Sequence, residues 1–257
     1  MDFFDATIYR AEVDLKKLRF IYAAIENFAA HRGRSFADLA ILEVACGRGG
    51  ITLPLATLGG RVTAFDINAE RVEQLQTVAR QRGINNLTLT VDNGYTFDGG
   101  QKYDVVIASE VFHHVLEPAR LAASIRRSMT AGSLLVVTVP NGYGPWELRT
   151  RLDPLTYLLR SNWLRGRLGK RPYRLGDGSD RCQFFTRSRL HALFAEQSFR
   201  VVRAGNSDFI QSVLPGLRRI GVVARLDLAF ADLLPSWAAS GWYLALELTP
   251  VSPLPAH

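Results

Sequence analysis

Five short runs, LAILEVA (39–45), RVTAFDI (61–67), LTLTVD (87–92), YDVVIAS (103–109) and SLLVVTVP (133–140), are rich in β-branched residues and mostly apolar throughout. A strand with one face in water alternates apolar and polar side chains; a strand covered on both faces need not. These runs therefore predict buried strands of a parallel sheet. Helical stretches separate them. The clearest are NAERVEQLQTVARQRG (68–83), with Asn68 as N-cap and Gly83 as its stop, and EPARLAASIRRSMTAG (117–132), with Pro118 early and Gly132 late. Such alternation predicts a doubly wound α/β sheet. Ahead of it, Ala11, Leu15, Leu18, Tyr22, Ile25 and Ala29 recur three and four apart, which predicts a helix over 8–32 ended by Gly33. Behind it, strands are expected at 199–204 and 241–248, completing the same sheet.

In a doubly wound sheet the ligand lies beyond the carboxyl ends of the strands, near the switch in strand order. Those ends carry a consistent set of residues. The first runs into ACGRGG, where Gly47 and Gly49 let the backbone pass close to a ligand. The second ends in Asp66, 19 positions after Gly47, where a carboxylate can accept both hydroxyls of a ribose. The third ends in Asp92 and Asn93, a polar pair suited to an adenine edge, and the fourth in Ser109 and Glu110. A nucleoside cofactor fits this set. The dinucleotide pattern G-x-G-x-x-G does not, because Thr52 stands where its last small residue belongs. Singly, each acid has an ordinary alternative: Glu43 or Asp66 as a helix cap, Asp92 as a turn former.

At 257 residues and 47 % hydrophobic content, the chain is long enough for one sizeable core and too apolar for disorder. MDFFDATIYR lacks the layout of a signal peptide, and no apolar run approaches a spanning helix, so the cytoplasm is the expected compartment. Cys46 and Cys182 make neither a disulfide framework nor a four-ligand metal pattern.

Taken in order, LEVACGRGG, VTAFDI, TVDNGY, YDVVIASEVFHHV and GSLLVVTVPN resemble the motifs of the class I S-adenosylmethionine-dependent methyltransferases, most of all the small-molecule O-methyltransferases of the ubiquinone-biosynthesis type. The resemblance covers residues 38–140, with weaker support from FFTRSRLHALFAEQSF (184–199). It implies a seven-stranded, mostly parallel, Rossmann-like methyltransferase fold with an N-terminal helix and a helical lid insertion. The whole chain, 1–257, is then one domain: an N-terminal helical segment (1–37), a cofactor-binding core (38–140), a lid (141–183) and the remainder of the sheet (184–257). The cofactor implied is S-adenosylmethionine, with S-adenosylhomocysteine as product. The resemblance further implies that Glu43 organises the loop and the cofactor's amino group, and that Gly47 and Gly49 leave room for the methionine moiety. Asp66, with Ile67 beside it, would hold the ribose, Asp92 and Asn93 the adenine, and Ser109 would lie at the methionine end. One position departs from the family: its first loop glycine is Ala45 here.

Methyl transfer is an in-line displacement that needs an aligned acceptor, dry surroundings and, for a hydroxyl, a base. His113 and His114, just beyond the fourth strand, are the candidate bases. Glu110, His113 and His114 at i, i+3 and i+4 would share one face of a helical turn, an arrangement that could hold a divalent metal but lacks a fourth partner. The N/D-P-P-Y/F/W sequence of base amino-methyltransferases is replaced by ASEVF, and neither cysteine is placed for C5-pyrimidine chemistry, so nucleic acid is not the expected acceptor. A small-molecule oxygen leads and nitrogen follows. A non-catalytic binding protein of the same fold and a nicotinamide oxidoreductase stay open beside them.

Substrate choice is expected in the insertion 141–183, with Tyr143, Trp146 and Tyr173 as lining candidates. The charge is concentrated there too. Between Trp146 and Arg174, eight basic residues stand against two acidic ones, giving +6 of the chain's +7. Leu155, Leu158, Leu159 and Trp163 recur on one helical face, so the segment reads either as an amphipathic lid or as a weak peripheral membrane contact through 146–174.

Overall fold

The computed structural model describes residues 12–144, 162–169, 183–209 and 220–250. Trp146, Tyr173, Cys182 and most of the basic stretch 146–174 lie outside the described residues.

Helix α1 (Glu12–His31) precedes β1 (Ala40–Val44), α2 (Thr52–Thr57), β2 (Arg61–Asp66), α3 (Ala69–Gln81), β3 (Leu87–Val91) and β4 (Tyr103–Ser109). There follow α4 (Pro118–Arg127), β5 (Met129–Pro140), α5 (Asn162–Arg167), α6 (Arg187–Ala195), β6 (Phe199–Asn206), α7 (Gly221–Phe230) and β7 (Gly241–Leu248). The seven strands form one sheet in the order β3-β2-β1-β4-β5-β7-β6. Every pairing from β3 to β5 is parallel, while β7 runs antiparallel to both neighbours. The expected seven-stranded, mostly parallel sheet is therefore the one observed.

The two faces of the sheet are covered by different helices. Ile41, Val105, Ile107, Leu134 and Val136 meet Leu18, Ile21 and Ile25 of α1, together with Leu55 of α2. Their neighbours one position on, Leu42, Val106, Leu135 and Val137, meet Leu121 and Ile125 of α4 and Leu190 and Phe194 of α6. Successive residues of a strand point to opposite faces, so apolar residues at both parities require cover on both sides. Each fully buried aliphatic side chain contributes about 1.5–3 kcal/mol. The segment joining α1 to β1 is clamped to β4: both Asp104 oxygens accept from the Arg34 guanidinium, at 2.6 and 3.0 Å, and one also accepts the Ala40 N–H at 2.8 Å. Burial pushes the Asp104 carboxyl up, but the Arg34 hydrogen bond, the Ala40 N–H and the nearby arginine charges outweigh it and hold Asp104 below the usual carboxylate range.

Two expectations need correction. The helix read over 117–132 ends at Arg127, and Met129 already belongs to β5. Register between β4 and β5 jumps from Tyr103↔Met129 to Val105↔Leu134, so residues 130–133 bulge out of the ladder, and Gly132, at φ +83°, serves the bulge rather than a helix end. The third run, expected to be covered on both faces, is an edge strand, and Thr88, Thr90 and Val91 of β3 are exposed while Leu87 and Leu89 are half-buried. Asn68 caps α3 as expected, its side chain accepting from Arg71 N–H at 3.0 Å.

Candidate active site

After β1 the chain builds outward through β2 and β3, then crosses to β4 on the other side of β1. That reversal opens a crevice at the carboxyl ends of β1 and β4. The turn after β1 sits there. Ala45, Gly47 and Gly49 all have positive φ, +57°, +55° and +77°. The family's glycine at position 45 is thus replaced by a residue that adopts the left-handed conformation at a cost of about 1–2 kcal/mol. The two glycines do different things. A side chain at Gly47 would meet nothing within 4 Å, so its backbone faces open space, whereas at Gly49 the space is already held by Leu75 of α3. Room for a ligand is left at Gly47; at Gly49 the missing side chain serves helix packing instead.

Asp66, at the end of β2, is buried, and its two oxygens accept from Gly47 N–H at 2.8 Å and Asn68 N–H at 2.9 Å. It ties the turn after β1 to the start of α3, and a carboxylate so engaged still has lone pairs to offer. Ile67 beside it is 66 % exposed, an apolar side chain facing out from the crevice's rim. At the end of β3, Asp92 accepts from Asn93 N–H at 2.6 Å, and Asn93 Oδ1 accepts from Tyr95 N–H at 3.0 Å. The Asp92 N–H donates to Asp66 O at 3.2 Å, which brings the two strand ends together.

Beneath the turn, Glu43 is buried and accepts a short hydrogen bond from the Thr52 hydroxyl of α2. Burial pushes its carboxyl up to about 8 against the pull of Thr52, with Asp66 adding to the rise. Burial, reinforced by Glu43 and Asp66, also pushes the Cys46 thiol up, so it stays protonated and unreactive.

At the end of β4, Ser109 Oγ lies 2.8 Å from Thr138 Oγ1, and Thr138 donates to Glu110 Oε1 at 2.9 Å. Glu110 also donates its N–H to Thr138 O at 2.9 Å and holds φ at +57°. The turn that follows, Phe112–His114, is 3₁₀ rather than α-helical. Glu110 therefore lies outside it, and the expected common face of Glu110, His113 and His114 does not form. Among the described residues no three His, Cys, Asp or Glu side chains group as a metal site. The two imidazoles lie with ring centres 3.9 Å apart, His113 buried and His114 half-buried.

The family described as a methyltransferase domain matches residues 15–204. The chain belongs to the class I S-adenosylmethionine-dependent methyltransferases. A ubiquinone biosynthesis O-methyltransferase of Rickettsia akari is 32 % identical over 119 residues, 46 % of each chain. The methyltransferase thus spans about half the length of the curated relatives it matches. Among solved structures, a S-adenosylmethionine-dependent methyltransferase of Clostridium acetobutylicum superposes with a TM-score of 0.58 at 10 % identity, covering 91 % of this chain and 92 % of that one. The magnesium protoporphyrin IX methyltransferase of Synechocystis PCC 6803 with bound S-adenosylmethionine gives 0.54 at 14 % identity, covering 91 % and 80 %. At these identities the likeness is one of fold.

The crevice suits the family's cofactor: Gly47 faces open space, Asp66 stands at the end of β2, and Ile67 supplies an exposed apolar surface beside it. Three residues that hold the methyltransferase site together escape a reading of the sequence. Thr52 and Thr138 bind Glu43 and Glu110, yet each sits in an element where threonine is unremarked. Gln183 latches the histidine turn: its N–H donates to His113 O at 3.2 Å, its side chain donates to Leu116 O at 3.1 Å, and it accepts from Arg189 at 3.0 Å.

Of the expected lining residues, Tyr143 is exposed on the loop after β5. That loop is fastened by Asn141, which donates to Trp237 O at 3.0 Å and Ala239 O at 2.8 Å and accepts from Tyr143 N–H at 3.0 Å. Within the insertion, α5 leaves Trp163 exposed, with the Arg167 guanidinium 4.6 Å from its ring centre. No helix among the described residues is long and apolar enough to cross a membrane.

Proposed function

We propose that this methyltransferase, working as one domain, methylates a hydroxyl oxygen of a small-molecule acceptor, with His114 receiving the acceptor's proton. The contrast between the two histidines carries the reading. His113 is buried beneath the turn, whereas His114 keeps part of its surface open at the carboxyl end of β4, where an acceptor must approach. The curated relatives, named as O-methyltransferases, support oxygen as the acceptor atom.

Bound S-adenosylmethionine supplies an electrophilic methyl on a positively charged sulfur. The chain's own residues do the rest. Asp66 offers its remaining lone pairs to the ribose hydroxyls, Ile67 packs against the adenine face, and Asp92 and Asn93 present polar groups to its edge. The backbone at Gly47 and the acid of Glu43 receive the methionine portion, while Ser109, fixed by Thr138, lines the reacting end. His114 takes the proton as the oxygen attacks, so that a neutral hydroxyl becomes a competent nucleophile.

Calorimetric titration with S-adenosylmethionine and with NAD, followed by a panel of phenols, alcohols and amines assayed with labelled methyl donor, tests the proposal. Binding of S-adenosylmethionine alone and label on a hydroxyl oxygen are expected. Label confined to amine nitrogens, or no affinity for S-adenosylmethionine, would overturn it.

A further inference from the structure

Helix α7 buries only Ala224 and Asp227 and leaves its larger apolar side chains outside. Polar contacts run along its inward side. Asp227 is buried and accepts from Phe209 N–H at 3.1 and 3.4 Å, and Lys16 donates to Leu228 O at 3.1 Å while pairing with Asp232 at 3.1 Å. Asn206 donates to Ala231 O and Leu234 O at 2.9 and 3.2 Å. Its outward side is apolar. Val222, Leu226 and Phe230 stand four apart on one row, Ile220 precedes them, and Leu233 and Trp237 continue beyond the helix, all 49–77 % exposed. Single exposed apolar residues are ordinary, but a contiguous row marks a contact surface.

The surrounding charge selects the occupant. Arg225 is exposed on α7, and the two acids of the segment are engaged, Asp227 with a backbone N–H and Asp232 with Lys16. The charge this face presents is therefore that of Arg225. A second copy of the face packed about a two-fold axis would bring a like charge to the same interface. An anionic lipid surface complements it, and it accommodates Phe230 and Trp237 at the level of its headgroups. The row also lies at a telling place: Gly241 opens β7 opposite Pro140 of β5, and Asn141 binds Trp237 O, so residues 231–240 stand at the same sheet edge as the crevice.

We infer that α7 and residues 231–237 form a docking face for anionic membranes, which turns the open end of the site toward lipid and admits an apolar acceptor from it. The face is argued from α7 and residues 231–237 alone; only the delivery of the acceptor rests on the transferase reading. Co-sedimentation of the full chain with phosphatidylcholine vesicles, with and without phosphatidylglycerol, at low and high salt is the test. The partner variant carries Leu226→Ser, Phe230→Ser and Trp237→Ser together, all exposed positions. Pelleting with the anionic vesicles alone, reduced at least about tenfold by high salt and by the triple variant, is expected. Wild-type protein that ignores anionic vesicles, a folded variant that pellets unchanged, or a wild-type dimer in sedimentation equilibrium that the variant abolishes would each overturn the inference. Calorimetry with S-adenosylmethionine on the same samples reads the transferase reading separately.

Discussion

Asp66 Oδ2 accepts the Gly47 N–H at 2.8 Å, so the acid at the end of β2 and the turn after β1 are one unit. Replacing Asp66 by Ala removes that bond and the one from Asn68, besides any contact with the ribose. Affinity for S-adenosylmethionine is expected to fall by about 1.5–3 kcal/mol, and folding stability by about 1–3 kcal/mol, because two backbone donors lose their partner. Asp66→Asn, which keeps one acceptor, should fall between. Calorimetry and urea denaturation check both, and unchanged affinity in a folded Ala variant would remove Asp66 from the cofactor site.

Glu43 makes stability depend on pH. Its carboxyl titrates at about 8 in the folded protein against a usual value of 4.5, so between those limits the folded state keeps a proton that the unfolded chain has lost. Stability without cofactor should therefore be fully present below about pH 4.5 and decline toward pH 8. Glu43→Gln keeps an acceptor for Thr52 and carries no charge, so it should lack this decline, leaving only the dependence that other groups such as His191 contribute. Denaturant midpoints measured across pH for both proteins decide this, and parallel curves would refute the buried, protonated acid.

The two histidines should separate by readout. His114→Ala is expected to lower kcat by about 10²-fold with the Kd for S-adenosylmethionine unchanged, as for the loss of a general base. His113→Ala should act on stability instead, since it empties space under the turn that Gln183 latches. If His114→Ala keeps full turnover across pH, the proton goes elsewhere.

Ala45 at φ +57° carries a conformational cost that glycine lacks. Ala45→Gly is expected to raise stability by about 0.5–1 kcal/mol, the relief of left-handed strain exceeding the entropy that glycine adds to the unfolded chain. Thermal denaturation measures it, and a destabilised variant would show that the turn tolerates the side chain without strain.

Much of this was readable in the residues because buried parallel strands are apolar at both parities, a signal that survives without knowledge of neighbours. The strand-end acids stood out for a related reason, since each closes an apolar run, but that Asp66 ties the turn after β1 to the start of α3 shows only in its hydrogen bonds. What escaped depends on partners distant in sequence. Met129–Gly132 has no strand signature, and only the register against β4 shows that it belongs to β5. Thr138 looks like any core strand residue until its hydroxyl is seen between Ser109 and Glu110. The shared face expected of Glu110, His113 and His114 assumed α-helical geometry, which a short run cannot distinguish from 3₁₀.

The placement of β7 between β5 and β6 bears on how the molecule comes into being. A ribosome delivers β6 before the strand that joins it to the sheet, so through the synthesis of some forty residues β6 has no partner and β5 shows an unpaired edge. Open edges of this kind recruit other nascent chains. The long apolar edge of β5 thus stays uncovered until β7 is made, and a chain halted before Gly241 should aggregate rather than wait in a native-like state.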